Sequence, residues 1–225
     1  MDRLVALQQK IAPELSSLIE LRYSILRNIH FSQPIGRRAM AVRLKTQERV
    51  IRREIDFLRD AGMVEITGAG MNLTPEGEEI LRELREYIRT LRGLSHLERA
   101  VSEALGLKKV IVVPGDSDDD ESVKKELARA AANYIKKRLK DDYTIAVTGG
   151  TTMAEVAKAF APSRVKRNVV VVPARGSLGE EIEQQSDTVA VAVAKGLGGS
   201  YRLLNLPDDL SEEIAAQLLE QPRVQ

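Results

Sequence analysis

The sequence predicts two domains in series: an α+β domain of helices closed by a small hairpin, then, after a helical linker, an α/β domain. Three observations predict it. An arginine-rich amphipathic stretch at 45–62, KTQERVIRREIDFLRDAG, runs directly into two short alternating segments. Leucine and isoleucine then recur at steps of three and four from residue 75 to about residue 106. From residue 143 onward, β-branched runs alternate with helical stretches, the pattern of a parallel sheet covered by helices on both faces.

A chain of 225 residues, 43% hydrophobic and 30% charged, is long enough for a real core in one to two domains. Its net charge is only +1, yet residues 34–62 hold eight Lys/Arg against four Asp/Glu, so the basic excess is local. The absence of cysteine excludes disulfides and thiolate chemistry, and makes a reducing compartment the default. No apolar run approaches the roughly 18 residues of a membrane span, and Met1-Asp2-Arg3 opens no signal peptide. The expectation is a cytoplasmic protein that does not engage the membrane.

Residues 3–12 and 14–31 read as helices, the second with Leu15, Leu18, Ile19, Ile25, Leu26 and Ile29 at helical spacing. Phe31 to Pro34 breaks the pattern, Ile35 to Leu44 makes a short helix, and Lys45-Thr46 is a tight turn. In the next helix Thr46 is the expected N-cap and Gly62 the expected end, with Arg59 complementing the dipole. Val50, Ile51, Ile55, Phe57 and Leu58 fall on one broad face, and Arg49, Arg52 and Arg53 project from the other. Glu54 falls in the middle of the apolar face, which calls for a salt bridge to Arg22 or Arg27. Met63 to Thr67 alternates as a strand, Gly68-Ala69-Gly70 turns it, and Met71 to Thr74 returns. Helix, helix, arginine-bearing helix and hairpin is the order of a winged helix-turn-helix, predicted over residues 1–74, with operator DNA as partner. Guanidinium suits both guanine edges and phosphate, so Arg49, Arg52 and Arg53 are candidate readers. Lys45, Thr46 and Gln47 stand with them at the helix start, and Arg37, Arg38 and Arg43 would meet phosphates from the preceding helix.

Thr74 is positioned to cap the next helix, with Pro75 in the tolerated first position. Leu81, Leu84, Ile88 and Leu91, then Leu94, Leu97, Val101 and Leu105, form a stripe along residues 75–106. That stripe either packs on its own domain or joins two copies as a linker and dimerisation element. Two half-sites one turn of DNA apart favour a homodimer or homotetramer.

Residues 107–225 are predicted as the α/β domain. It opens with the apolar run Val110 to Val113 and the acidic loop Asp116 to Glu121, whose spacing fits no EF-hand. A solvated loop or a helix cap is expected there, and no metal. Residues 122–140 and 151–160 read as helices, 143–148 and 168–172 as strands. Ligands of such sheets lie at the carboxyl ends of strands. At the first strand end, Gly149 and Gly150 let backbone amides approach an anion, Thr151 and Thr152 add hydroxyl donors, and the following helix directs its positive end there. The next strand end carries Arg175, able to pair with the same phosphate. No Gly-Lys-Ser/Thr follows, so this is not a Walker loop, and the glycine spacing is not that of a dinucleotide fingerprint.

These segments, VTGGTTM, VVPARGSLGE, Gln184-Gln185-Ser186-Asp187 and GGSYRLLNLPDDLS, resemble the sugar-binding domain of the SorC family of bacterial transcription regulators. The likeness extends to PIGRRAMAVRL and to PGDSD at residues 114–118, and covers essentially the whole chain. It implies a winged-helix repressor of glycolytic genes whose C-terminal domain is Rossmann-like, akin to sugar-phosphate isomerases. That domain would bind a phosphorylated sugar, fructose 1,6-bisphosphate, without turning it over, and no cofactor. By the resemblance Thr151 and Thr152 hold a phosphate, Gly149 and Gly150 shape its cradle, Arg175 pairs with it and Gln185 reaches the sugar. This chain departs from the family where Lys45 replaces a common glycine, Ser177 a glycine, and Ser186-Asp187 an Ala-Asn pair. The resemblance also implies a domain that continues beyond residue 225, so that the α/β domain is partial.

Two other functions are to be weighed. A sugar-phosphate isomerase or deaminase needs a general base, and the only histidines, His30 and His96, fall in helices of the first domain and linker. Glu180 and Glu181, near Arg175, are the carboxylates to test; no catalytic residue is expected. A ligand-blind DNA-binding dimer, left by truncation, is the third reading.

Overall fold

Pro13 occupies the first turn of the longest helix, where no backbone N–H is required, and Pro34 lies just past its end. The structure, a computed structural model, describes residues 2–160, 167–176, 181–203 and 210–220. The chain divides into two units, Met1–Val123 and Lys124–Gln225. No described helix is long and apolar enough to cross a membrane.

In the first unit the order is α1 (Asp2–Ile11), α2 (Pro13–Ser32), α3 (Arg37–Arg43), α4 (Glu48–Asp60), β1 (Val64–Thr67), β2 (Gly70–Leu73), α5 (Pro75–Leu91) and α6 (Leu94–Leu105). Ile25, Leu26 and Ile29 of α2, Met40 of α3, Ile51, Ile55 and Leu58 of α4, and Leu81 and Ile88 of α5 share one core. The strands β1 and β2 form an antiparallel hairpin in which Val64 faces Leu73 and Thr67 faces Gly70. Ile35 does not start a helix as expected; it exchanges backbone hydrogen bonds with Met71, 2.9 and 3.2 Å long, and so ties the hairpin to the chain ahead of α3. Gln33 reinforces the tie, its Oε1 accepting from the Leu73 N–H at 2.9 Å.

The helix at 48–60 departs from expectation at its start and on its flank. Its N-cap is Gln47, not Thr46, because Gln47 is the last extended residue (ψ 139°) and its carbonyl accepts from Val50 and Ile51. Its end is as expected. Gly62 has φ 78°, and the amides of Gly62 and Met63 bond back to Arg59 and Leu58, a Schellman closure. Phe57 is off the packing face and 47% exposed, and the buried position in its neighbourhood is taken by Glu54, 2% exposed.

The stripe on α5 is consumed at home. Leu81, Ile88 and Leu91 are buried in the first core with Leu84 beside them, so this half of the expected seam is intramolecular packing. On α6 only Leu94 is buried, and Leu97 and Leu105 are exposed. The apolar run Val110 to Val113 also lies in this unit, outside any described strand. Arg89 donates to the Val112 carbonyl and the Val112 amide to Glu98.

α7 (Glu121–Arg138) leads into the second unit, which continues with β3 (Thr144–Val147), α8 (Thr151–Ala159), β4 (Val170–Pro173), a 3-10 turn at Ile182–Gln184, α9 (Ser186–Leu197), β5 (Ser200–Tyr201) and α10 (Glu212–Leu219). The strands are parallel in the order β3-β4-β5, with Val147 level with Pro173 and Val171 level with Tyr201. Val147, Val171, Val156, Phe160, Val193 and Leu197 define this core. Cover on both faces was expected throughout. On β3, Thr144 and Ala146 are exposed, so among the described residues only its Ile145/Val147 face is covered.

Candidate functional site

The first surface is built by α3, the turn after it, and α4. Met40, Ala41, Ile51, Ile55 and Leu58 turn inward, which forces the polar positions of both helices outward. Arg38, Lys45, Arg49, Arg52 and Arg53 are exposed there, with Gln47 beside them and Arg37 and Thr46 half-buried. The hairpin follows α4 directly. The structure therefore brings all eight candidate residues onto adjoining elements.

Carboxylates organise this face. Glu48, on the first turn of α4, takes Arg52 at 3.1 Å and Arg38 at 3.5 Å, joining the two helices. The hydrogen bond from Arg52, with Arg38 nearby, holds its carboxyl below the usual range. Arg53 rests on Glu54 at 2.8 Å with most of its side chain exposed, whereas Arg49 makes no ion pair among the described residues. Glu54 is the anticipated partner of Arg22, at 2.9 Å; Arg27 instead reaches Asp120. Lys45 has φ 48°, the left-handed conformation that favours glycine, and its ammonium pairs with Asp119. That partner was not foreseen, since Asp119 lies 74 positions away in a loop expected to be solvated. Arg43 is turned back to Ser32 and is less available than its neighbours.

In the second unit the two strand ends meet a third segment. The Gly150 amide donates to the Gln184 carbonyl at 2.7 Å, and Gly149 lies so close to residues 184–186 that a Cβ there would sit 2.3 Å from Gln184 O and 2.9 Å from Ser186 N. Ser186 Oγ donates to the Arg175 carbonyl at 3.0 Å, and the Ala174 amide to Val147 O at 2.7 Å. Gly149, Gly150, Arg175 and Gln185 are thus gathered by the Gly150–Gln184 bond, the Ser186 hydroxyl and the close approach at Gly149. Thr151 and Thr152 are exposed on the first turn of α8, whose early amides receive no side-chain cap from Gly150. Sequence reasoning missed Lys124. It comes from the first turns of α7, its Nζ is 3.5 Å from Thr151 Oγ1, and only the fold brings it there. The Gly150 amide, expected to meet an anion, is instead spent on Gln184, which leaves the two threonine hydroxyls and Lys124 at the start of α8 as the groups suited to an oxyanion. Ser177 and Glu180 lie outside the described residues, as do much of RLLNLPDD and residues 221–225.

Residues 89–225 match the family described as "Putative sugar-binding domain", and residues 18–88 match "CggR N-terminal DNA binding domain". The central glycolytic genes regulator of Priestia megaterium is 44% identical over 225 residues, and that of Bacillus subtilis 41% over 224. Each alignment takes in 100% of this chain and 66% of the relative, so the chain spans just under two thirds of their length. Among solved structures, one described as "the putative SorC family transcriptional regulator from Enterococcus faecalis" is 35% identical with a TM-score of 0.51, over 58% of this chain and 53% of that one. The full-length sorbitol operon regulator SorC from Klebsiella pneumoniae, 18% identical, has a TM-score of 0.53 over 92% of this chain and 61% of its own. At that identity the second likeness is one of fold alone.

Proposed function

The chain belongs to the SorC family of sugar-binding transcriptional regulators, and from that premise we propose that it is a cytoplasmic DNA-binding repressor of glycolytic genes. Its grip on operator DNA is loosened by a phosphorylated sugar, fructose 1,6-bisphosphate. The first unit acts as a winged helix-turn-helix, with α3 and α4 as the two helices, α4 in the major groove and β1-β2 as the wing. The observation that carries this reading is the exposed arginine face of α4, bordered by α3 and the hairpin. Arg49 and Arg52 read bases, Arg53 joins them, and Arg37, Arg38, Lys45, Thr46 and Gln47 hold the backbone. Retardation assays on DNA upstream of glycolytic genes test it. Arg49→Ala or Arg52→Ala weakens binding by about 1 to 3 kcal/mol, and unchanged midpoints for both variants overturn the reading.

The second unit acts as a Rossmann-like effector domain, with Gly149, Gly150, Thr151, Thr152 and Arg175 around a phosphate and Gln185 toward the sugar. Support comes from the hydrogen bonds and the close approach that gather the two glycines, Arg175 and Gln185 at neighbouring strand ends. A ligand that binds the native state must raise the unfolding midpoint. Fructose 1,6-bisphosphate is expected to do so, and Arg175→Ala to abolish the shift; no shift for the unaltered chain favours a ligand-blind DNA-binding protein. Enzymatic turnover is not part of the reading, since the curated relatives are named as regulators. His30 is bonded to Glu78, and His96 is exposed on α6. Two half-sites require two copies, and the exposed Leu97 and Leu105 of α6 support pairing there. Leu97→Asp should then lower the mass seen in sedimentation.

A further inference from the structure

The segment from Pro114 to Val123 is pinned at both ends on α2. Arg27, 4% exposed, donates to the Pro114 carbonyl at 2.9 Å, to Ser122 Oγ at 2.9 Å and to Asp120 Oδ2 at 2.8 Å. Asn28, fully buried, adds hydrogen bonds to Asp120 and Ser122. Between these anchors the tip is closed by the Asp120 amide on the Asp116 carbonyl and the Asp118 amide on the Asp116 carboxylate. The exposed tip carries Asp116, Asp118 and Asp119, and Asp119 pairs with Lys45 in the turn between α3 and α4. Asp116 adds its field at the same ammonium. Because the anchors are buried, the chain has little freedom to carry the tip away. Its carboxylate therefore faces Lys45 at a high effective concentration.

We propose that the Asp116–Asp119 tip is a built-in competitor for DNA phosphate, an intramolecular anion that holds Lys45 in the free protein and gives up its ammonium to phosphate when duplex binds. The inference rests on the reading of α3 and α4 as a DNA-binding face. A carboxylate and a phosphate oxygen make the same demand on an ammonium, so Lys45 serves one at a time. The tip thereby weakens non-specific association, where phosphate contacts are almost everything, and leaves base reading by α4 untouched.

Fluorescence anisotropy with a 30-base-pair duplex of mixed sequence tests this on the full chain, comparing the unaltered protein, Asp119→Asn, Lys45→Met and the double variant. Asp119→Asn should tighten binding about threefold at low salt, the size an exposed ion pair sets, with the gain fading as salt rises. In the Lys45→Met background the same change should give no gain. A gain that persists without Lys45 would be the general field of a removed charge, and it overturns the inference. So does unchanged binding by Asp119→Asn. Failure of every form to bind duplex overturns the DNA-binding reading itself, whereas binding without a Lys45-dependent gain sinks only the latch.

Discussion

Arg22 of α2 donates from Nε to the buried carboxylate of Glu54 on α4 at 2.9 Å, and its guanidinium lies 3.6 Å above the ring of Phe57. One side chain thus answers two anomalies of the α4 pattern: an acid on the apolar face and an aromatic ring off it. Arg53 takes the other carboxylate oxygen from outside. The network joins the long helix to the arginine-bearing one without consuming Arg49 or Arg52.

Arg22→Ala should lower stability by about 3 kcal/mol, since removing one partner leaves a carboxylate in the core with only Arg53 to compensate it. Glu54→Gln, which keeps shape and one acceptor, should cost about half as much. Denaturant titration followed by helical circular dichroism reads both. An Arg22→Ala variant as stable as the parent would mean that Arg53 and water suffice.

Acid should weaken the first unit through three carboxylates. Burial pushes Glu54, Glu98 and Asp120 up, but hydrogen bonds and charges outweigh it: Arg22 and Arg53 for Glu54, the Val112 amide and Arg89 for Glu98, Ser122 and Arg27 for Asp120. All three end below their usual values. Each therefore adds stability that is whole above an ordinary carboxylate pKa of about 4 and is lost as pH falls through the lowered folded values. Thermal midpoints between pH 7 and pH 2 should drop on the acid side, and Asp120→Asn should flatten that limb. An equally steep limb in the variant would remove Asp120 from the account.

Gly77 separates local preference from packing. In the first turn of α5, propensity alone predicts that Gly77→Ala stabilises by up to about 1 kcal/mol. A Cβ there would sit 2.1 Å from the Met63 carbonyl oxygen, a backbone atom with little room to yield. The outcome should be a loss of about 2 kcal/mol or more. A raised melting temperature would show that α5 can shift away from the hairpin.

The two glycines of the proposed phosphate cradle should fail differently. Gly149→Ala places its Cβ 2.3 Å from Gln184 O, and should disrupt the second unit as well as ligand binding. Gly150 has nothing within 4 Å of a built Cβ but carries φ 107°, so Gly150→Ala meets backbone strain of about 1 to 3 kcal/mol and no collision. Melting curves with and without fructose 1,6-bisphosphate compare them. Equal midpoints for the two variants would contradict the close approach at Gly149.

What is local or periodic could be read from the residues alone. The helices of the first unit, the hairpin after Gly62, Thr74 as a cap and the parallel strands at 144–147 and 170–173 follow from spacing, turn residues and β-branched runs, which act over a few positions. The sequence also marked Gly149, Gly150 and Arg175 as neighbours, because strand ends of a parallel sheet converge whatever the distance along the chain. Where a face has more than one use, long-range packing makes the choice. Packing against α2 took the α5 stripe from a partner helix, and the bond to Arg22 of α2 keeps Glu54 inside while Phe57 stays outside. Pairs such as Lys45 with Asp119, Arg27 with Asp120, and Lys124 with Thr151 leave no trace in periodicity. A charge suits solvent or a distant partner equally well until the fold fixes which groups stand within a few ångströms.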